Sequence, residues 1–338
     1  MMHEYIQQIE RGENLSHDAI TVLMELIMSG HVPLQDIKRF LLALNKKGPT
    51  VEEITACALI MRKFVLPVKT GHEVVLDVVG TGGDHKGTFN ISTVTAIVVA
   101  ACGVVVAKHG NRRVSSRCGS ADVLEKLGIK VDIEERHLGR ALDTIGLAFL
   151  FAQRLHPAMK NVAPARQALG VRTIFNILGP LTNPALATHQ VMGVYSRDLV
   201  EPMAEVLKGL GLKRALVVHG NDGLDEITTT DVTFVSEFNG KEIISYDIDP
   251  AELGVPRARL KDLEGGDADE NASIVLKILG GEHGAHRDVV LVNAAYALYT
   301  AQAVDNISAG MQMARHAVDS GRAMQKLEDL EEFTCSVR

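Results

Sequence analysis

The sequence contains no tryptophan, and only 4% of its 338 residues are aromatic. Proteins that hold single-stranded nucleic acid commonly stack bases on aromatic side chains, so this composition argues against such a platform. An excess of positive charge is also missing, because the formal net charge is -7. A nucleic acid or an anionic membrane would require a basic surface, and we therefore predict neither as a partner.

Cysteine is scarce and unpaired in the sequence. None of the four cysteines lies in a CxxC pair or at zinc-finger spacing, which predicts reduced thiols in a cytoplasmic protein. The N-terminal stretch "MMHEYIQQIERGENL" lacks the apolar core of a signal peptide. The longest apolar run, from Ala96 to Ala107, is too short to span a bilayer. The composition is that of a globular protein with a sizeable core.

The first 70 residues carry apolar spacings and capping signals typical of short helices. Ser16 precedes one such stretch, Pro33 opens a second, and Thr50 with Glu53 forms the capping box of a third. Helices this short must pack on one another to be stable. We therefore predict a small helical domain over residues 1–70.

The pattern changes after residue 70. The runs "EVVLDVV", "GVVVA", "LAFLF", "RALVVH" and "DVVLVN" are typical of strands buried on both faces, and helical stretches separate them. This alternation predicts an α/β domain over residues 71–338 with a mainly parallel central sheet. An antiparallel hairpin is expected to turn at Asn239-Gly240, and a long last helix to run from about Ser308 to Leu330. Residues of about 165–190 could also contribute to the helical domain.

A glycine-rich segment, "DVVGTGGDHKGTFNIST", follows the first predicted strand. Its glycines would let backbone N–H groups point at a bound anion, and Asn90, Ser92 and Thr93 stand where the next helix begins. This combination predicts a phosphate or diphosphate site. An ordinary glycine-rich turn would show the same glycines, and the spacing matches neither the Walker motif nor GxGxxG.

A basic segment, "KHGNRRVSSRCGSAD", follows the second predicted strand. Lys108, Arg112, Arg113 and Arg117 are interleaved with serines and glycines there. Because the ends of parallel strands meet at one edge of the sheet, this segment predicts a second anion site beside the first. A solvated basic face is the alternative, and His109 alone is more typical of a structural role.

Two adjacent acids, Asp225 and Glu226, lie in the loop "HGNDGLDEIT" after another predicted strand. Paired carboxylates near phosphates are typical ligands of Mg²⁺. A solvated acidic loop would look the same. Further upstream, Arg166 and Arg172 lie among prolines, where a fixed backbone would suit an arginine that grips a carboxylate; pairing with a structural acid is the alternative.

These segments, in this order, resemble the anthranilate phosphoribosyltransferase family of tryptophan biosynthesis. The matching motifs are "GTGGD…GTFNIST", "KHGNR.VSS..GSADVLE.LG", "HPAMK.VAP.R..LG.RTIFN.LGPLTNP" and "HG.DGLDE", and the likeness covers essentially the whole chain. The resemblance implies transfer of a phosphoribosyl group from phosphoribosyl pyrophosphate to the amine of anthranilate, with release of pyrophosphate. It also implies an active site in the cleft between a small helical domain and a large α/β domain, and a homodimer formed through the helical domain.

The resemblance assigns site residues as well. Its phosphoribosyl pyrophosphate site would comprise Gly80, Gly83, Asp84, Thr88, Asn90, Ile91, Ser92, Thr93, Lys108, His109, Gly110, Asn111, Arg112, Arg113, Val114, Ser115, Ser116 and Ser120. Its anthranilate site would comprise Gly80, His109, Asn111, Pro157 and Arg166. Its Mg²⁺ ligands, for two ions in each active site, would be Ser92, Asp225 and Glu226. Lys108 and the Mg²⁺ ligands would stabilise the transition state, with no residue acting as acid or base.

Three positions depart from the family pattern. His85-Lys86 stands where small residues are common, Arg113 replaces a small residue, and Asn161 replaces a common histidine near the acceptor entrance. Lys86 could add a phosphate contact, whereas Asn161 leaves details of acceptor binding open. Two other functions remain to be weighed: phosphorolysis of nucleosides, which would not need the acidic pair, and a non-catalytic binding role, which would not need intact metal and carboxylate residues.

Overall fold

The computed structural model describes residues 2–113 and 117–337. Its first four helices are α1 (Met2–Glu10), α2 (His17–Met28), α3 (Leu34–Lys47) and α4 (Val51–Lys63). The Ser16 side chain accepts a hydrogen bond from the Ala19 N–H, and Thr50 and Glu53 form a reciprocal capping box. Both predicted helix starts are therefore confirmed.

A seven-stranded sheet dominates the rest of the chain. Its strands are β1 (Leu76–Gly80), β2 (Val106–Gly110), β3 (Leu147–Phe151), β4 (His189–Gly193), β5 (Arg214–Gly220), β6 (Thr233–Phe238) and β7 (Ile243–Ile248). The helices between and after them are α5 (Ile91–Ala101), α6 (Ser120–Lys126), α7 (Glu135–Ile145), α8 (Ala152–Leu155), α9 (Ala163–Leu169), α10 (Phe175–Leu178), α11 (Val200–Gly209), α12 (Ala268–Leu279), α13 (Ala285–Thr300), α14 (Ile307–Asp319) and α15 (Arg322–Ser336).

The strand order is β3-β2-β1-β4-β5-β6-β7. Strands β1 to β5 are parallel, and β6 and β7 add an antiparallel hairpin at one edge. The chain moves outward from β1 to β3 and then returns with β4 on the other side of β1. Ligands bind in the crevice outside such a switch point, at the carboxyl ends of the strands. The ends of β1 and β4 meet there, with Gly80 paired to Gly193.

Two large hydrophobic cores cover the sheet. One face packs against α5 and the helices α12 to α15. The other core joins the helices α1 to α4 to α11, to the segment from Val162 to Leu181, and to side chains of β4 and β5. The N-terminal helices therefore rest on the α/β part of the chain through a shared core. A smaller cluster packs α7 against β3.

The structure confirms the mainly parallel sheet and the hairpin at Asn239-Gly240, but three details were predicted incorrectly. The run "DVVLVN" lies inside the buried helix α13, because a short apolar run is the same in a buried strand and a buried helix. Strand β4 was not predicted, since only Val191 and Met192 of its five residues are strongly apolar. The long last helix is two helices, broken at Gly321, whose φ is 78°.

None of the helices in residues 2–113 and 117–337 combines the length and the apolar character needed to cross a membrane.

Candidate active site

A cavity of about 970 Å³ lies at the carboxyl ends of β1 and β2. It is bounded by the loop after β1, the first turn of α5, the loop after β2 and the segment from Ala152 to Thr182. Of the residues predicted for the site, it is lined by Gly80, Gly83, Asp84, Thr88, Asn90, Ile91, Ser92, Thr93, Lys108, His109, Gly110, Asn111, Arg112, Ser120, Pro157, Arg166, Asp225 and Glu226. Arg113 does not line it, and Val114, Ser115 and Ser116 lie outside the described residues.

Glycines at two strand ends make room for Asp225. A Cβ atom on Gly80 would lie 2.4 Å from Asp225 Oδ2, and a Cβ atom on Gly193 would lie 1.6 Å from the Asp225 carbonyl oxygen. The Gly82 N–H donates a hydrogen bond of 2.7 Å to Asp225 Oδ2. The glycine residues therefore position the acidic pair, because they let the loop after β5 pack directly against the ends of β1 and β4.

The acidic pair carries strongly shifted pKa values. Burial, followed by the nearby Asp84 carboxylate, raises the pKa of Asp225 to about 7. Burial, followed by the Asp225 carboxylate, raises the pKa of Glu226 to about 8. The Ser92 N–H in the first turn of α5 donates to Glu226 Oε1 at 3.2 Å. Carboxylates held together in a desolvated position would be stabilised by a cation between them.

The side-chain oxygen atoms of Ser92, Asp225 and Glu226 are ligands of the kind that Mg²⁺ prefers. Within residues 2–113 and 117–337, no set of three or more His, Cys, Asp or Glu side chains could hold a metal ion by itself. Mg²⁺ commonly uses one or two carboxylates and takes its other oxygens from water and phosphates.

Lys108 is a buried cation at the end of β2. Burial lowers its pKa, although Asp77, Glu226 and Asp225 act in the opposite direction. Its Nζ donates to the carbonyl oxygen of His109 at 2.9 Å. Asp77, fully buried in β1, accepts hydrogen bonds from the His109 N–H at 3.1 Å and from Asn183 Nδ2 at 2.8 Å. Asp77 and Asn183 were not among the predicted site residues, because they lie far apart in the chain and no local pattern indicates their contact.

Arg112 is less free than its place in a basic segment suggests. Its guanidinium contacts the Glu125 carboxylate at 2.5 and 2.6 Å and Asp122 at 3.3 Å, and it lies 5.4 Å from the ring centre of Phe151. Asp122 also accepts from the Arg113 and Gly119 N–H groups. The first turn of α6 therefore holds the basic loop in place, and the cationic charge of Arg112 is already partly balanced.

Asn90 and Ser120 link neighbouring loops. Asn90 Nδ2 donates to the Cys118 carbonyl oxygen at 3.2 Å, and Asn90 Oδ1 accepts from the buried Asn271 at 3.0 Å. Ser120 Oγ donates to the Asn111 carbonyl oxygen at 3.1 Å. Asn271 was another residue missed from sequence, since nothing near it in the chain indicates a site.

Arg166, on α9, also lines the cavity. Burial alone lowers its pKa, and no carboxylate of a described residue forms an ion pair with it. Its guanidinium lies 5.8 Å from the ring centre of Phe175. His109 and His156, both buried, also line the cavity, with 3.0 Å between their Nε2 atoms. Arg166 thus lines the cavity as a cation that no acid of the described residues balances.

The other residues singled out from sequence have different surroundings. Arg172 donates to the Gly83 carbonyl oxygen and stacks 4.1 Å from the ring centre of Tyr195, so it braces the glycine-rich loop. Asn161 Nδ2 donates to the Met28 carbonyl oxygen at 2.7 Å, and Asn161 does not line the cavity. His85 and Lys86 both line the cavity, and His85 has a φ of 57°.

Comparison with known proteins agrees with this geometry. The model of the glycosyl transferase family helical bundle domain matches residues 3–65, and that of the family's a/b domain matches residues 72–324. An anthranilate phosphoribosyltransferase of Petrotoga mobilis is 49% identical over 334 residues, which cover 99% of this chain and 97% of that relative. One of Persephonella marina is 48% identical over 99% of both chains.

Solved structures give the same result. The anthranilate phosphoribosyltransferase of Thermus thermophilus has a TM-score of 0.94 at 42% identity, over 98% of this chain and 99% of that one. The Saccharomyces cerevisiae enzyme in complex with PRPP and Mg has a TM-score of 0.92 at 26% identity, over 99% and 98% of the two chains. The chain therefore belongs to the anthranilate phosphoribosyltransferase family.

Proposed function

We propose that the cavity transfers the 5-phosphoribosyl group of phosphoribosyl pyrophosphate to the amine of anthranilate, with release of pyrophosphate, as the second step from chorismate to tryptophan. The observation that carries this proposal is the polarity of the cavity. Its lining combines the acidic pair, Lys108 and the first turn of α5 with Arg166 on α9, which forms no ion pair with a described acid. Structures of the yeast relative in complex with PRPP and Mg and with 4-fluoroanthranilate support this assignment.

The donor binds at the end formed by β1, β2 and α5. Backbone N–H groups of the glycine-rich loop face a diphosphate there, beside the N-terminus of α5, which favours an anion. The Thr93 hydroxyl is buried and has no hydrogen-bond partner among the described residues, which leaves it available to a phosphate oxygen. Lys108 adds a positive charge in a desolvated position, where its interaction with a developing anion is stronger than in water.

Ser92, Asp225 and Glu226 would hold Mg²⁺, for which we propose two ions in each active site. When bound, such ions neutralise the charge that develops on the leaving pyrophosphate. Metal binding also requires the acidic pair to be ionised, so the raised pKa values of Asp225 and Glu226 make it sensitive to pH.

The acceptor binds where α9 lines the cavity. Arg166 grips its carboxylate through parallel hydrogen bonds, which fix the ring as well as neutralise the charge. Gly80, His109, Asn111 and Pro157 complete the acceptor site, and Gly80 and His109, at the ends of β1 and β2, bring it next to the donor. The anthranilate amine has a free lone pair and needs no strong base before it attacks C1 of the ribose. Positioning of the two substrates therefore accounts for much of the rate, and no residue acts as acid or base.

The organisation of the chain belongs to the same proposal. We assign residues 1–70 to a helical domain and 71–338 to an α/β domain, with residues of about 165–190 contributing to the former, because Ile174, Phe175 and Leu178 share the core of α1 to α4. We further propose a cytoplasmic homodimer formed through the helical domain. Leu34 and Leu42 on α3 are 43% and 47% exposed, and burial in a dimer would remove this apolar surface from water.

An assay of pyrophosphate release tests the function directly. The purified protein is mixed with phosphoribosyl pyrophosphate and Mg²⁺, with and without anthranilate, and in parallel with thymidine or uridine and inorganic phosphate. Anthranilate-dependent release without nucleoside phosphorolysis is expected. Phosphorolysis without anthranilate-dependent release would instead identify a nucleoside phosphorylase.

A further inference from the structure

Asn293 lies in the middle of α13, is fully buried and does not line the cavity. Its side-chain amide forms two hydrogen bonds with the backbone of one residue, Ile227. The Ile227 N–H donates to Asn293 Oδ1 at 3.1 Å, and Asn293 Nδ2 donates to the Ile227 carbonyl oxygen at 2.8 Å. Asn293 Nδ2 also donates to the Val289 carbonyl oxygen at 2.8 Å within α13, which fixes the orientation of the amide.

Ile227 follows the acidic pair directly, in a connection between β5 and β6 that contains neither helix nor strand. On the side of the sheet, Asp225 is held by the Gly82 N–H and by its close approach to Gly80. On the side of the helices, Asn293 supplies both polar partners of the Ile227 backbone. The backbone around the acidic pair is therefore held on both sides, at Asp225 by Gly82 and at Ile227 by Asn293. Asn293 thus fixes the orientation of the peptide that follows Glu226.

We propose that Asn293 is a positioning residue for the acidic pair, which sets the carboxylates of Asp225 and Glu226 in the arrangement that binds a divalent cation. The inference rests on the proposed metal-binding role of these acids. It extends that role to a side chain on a different element, 66 residues away from Ile227 in the chain.

Only a side chain with a donor and an acceptor on one planar group can satisfy both backbone groups of Ile227. Aspartate has the same shape but lacks the donor, and it would add another negative charge near the acidic pair. Alanine removes both partners and leaves space into which water can enter. In either case the peptide after Glu226 loses its fixed orientation, so cation affinity is expected to fall. Anthranilate binding should change little, because Arg166 lies on α9, a different element from the loop that Asn293 holds.

The experiment compares Asn293→Ala and Asn293→Asp with Thr300→Val in the full-length protein. Thr300 is a matched control, since it is buried in the same helix and its hydroxyl donates only to the Tyr296 carbonyl oxygen, at 2.8 Å. Mn²⁺ binding is measured by electron paramagnetic resonance without substrates, and circular dichroism checks the fold. Asp225→Asn is included as a test of the metal site itself. Steady-state kinetics then give the Mg²⁺ concentration at half-maximal rate and the KM for anthranilate.

We expect both Asn293 variants to bind Mn²⁺ at least tenfold more weakly and to need at least tenfold more Mg²⁺ for half-maximal rate. The KM for anthranilate should change less than twofold. Thr300→Val should change neither Mn²⁺ binding nor the Mg²⁺ requirement. Unchanged Mn²⁺ affinity in Asn293→Ala, while Asp225→Asn abolishes binding, would overturn the inference alone. Unchanged binding in Asp225→Asn would overturn the metal site and the inference together. Should Asn293→Asp not fold, Asn293→Ala decides the question.

Discussion

Arg166 provides a sharp test of the acceptor site, because its surroundings distinguish a functional arginine from a structural one. A structural arginine would be paired with an acid, whereas burial lowers the pKa of Arg166 and no acid of a described residue compensates. A bound anionic ligand would therefore supply the electrostatic stabilisation that the buried guanidinium of Arg166 lacks. The substitution Arg166→Ala should weaken anthranilate binding by the contribution of one charge-assisted pair, about 1.5–3 kcal/mol. That range corresponds to a rise in KM of roughly 10- to 150-fold.

Stability should respond differently from binding. Arg166→Ala removes a cation that no described acid balances, so we expect the free energy of unfolding to change by less than about 1 kcal/mol. Arg166→Lys should recover only part of the affinity, because an ammonium group keeps the charge but cannot form two parallel hydrogen bonds.

The assay varies each substrate in turn, with equilibrium binding followed through the fluorescence of anthranilate; the absence of tryptophan keeps the protein background low. Arg172→Ala is the matched control. Its guanidinium donates to the Gly83 carbonyl oxygen, so its loss should raise the KM for phosphoribosyl pyrophosphate more than that for anthranilate. If Arg166→Ala raises both KM values equally, or unfolds the protein, the acceptor assignment is wrong.

Three further predictions concern other parts of the molecule. In Gly80→Ala the new Cβ would lie 2.4 Å from Asp225 Oδ2, so Mn²⁺ affinity should fall at least tenfold, while Gly71→Ala, with open space around it, should have no effect in the same titration. The raised pKa values of Asp225 (about 7) and Glu226 (about 8) mean that the metal-free fold keeps protons that the unfolded chain releases near pH 4. Its stability should therefore decline from about pH 4 to about pH 8, with a smaller decline in the double variant Asp225→Asn with Glu226→Gln. Equal slopes of Tm against pH would contradict this. Finally, Leu42→Glu should shift a dimer towards monomer in sedimentation, whereas a wild-type monomer at micromolar concentration would refute the proposed interface.

The parts of the fold and of the cavity that could be predicted from sequence depend on local signals. Capping residues such as Ser16 and Thr50 act within one turn, so the starts of α2 and α4 were predictable. The glycine-rich and basic loops follow buried strands, and parallel strands bring their carboxyl ends together. That rule alone predicted that Ser92 and Lys108 would line one cavity, and the structure places both there.

The remaining parts depend on partners that lie far apart in the chain. Asp77 and Asn183 are separated by 106 residues, and Ile227 and Asn293 by 66, so no pattern within one segment indicates either pair. The helix α13 shows the same limit in another form. Its run "DVVLVN" is apolar on all sides because the helix is buried, and the periodicity that distinguishes a helix from a strand disappears under those conditions.

The dense glycines that follow the strands have a common explanation at this edge of the sheet. Four parallel strands, β1, β2, β4 and β5, end in a glycine, namely Gly80, Gly110, Gly193 and Gly220. A Cβ atom on Gly80, Gly193 or Gly220 would lie 2.4 Å or less from an atom of the loop after β5, and one on Gly110 would lie 2.3 Å from Ser120 Oγ at the start of α6. A bulkier residue at these strand ends would push the adjoining segments outward and separate Glu226 from the first turn of α5. Glycine costs conformational entropy at these four positions, but its missing Cβ atom allows the close approach of the segments that form the cavity.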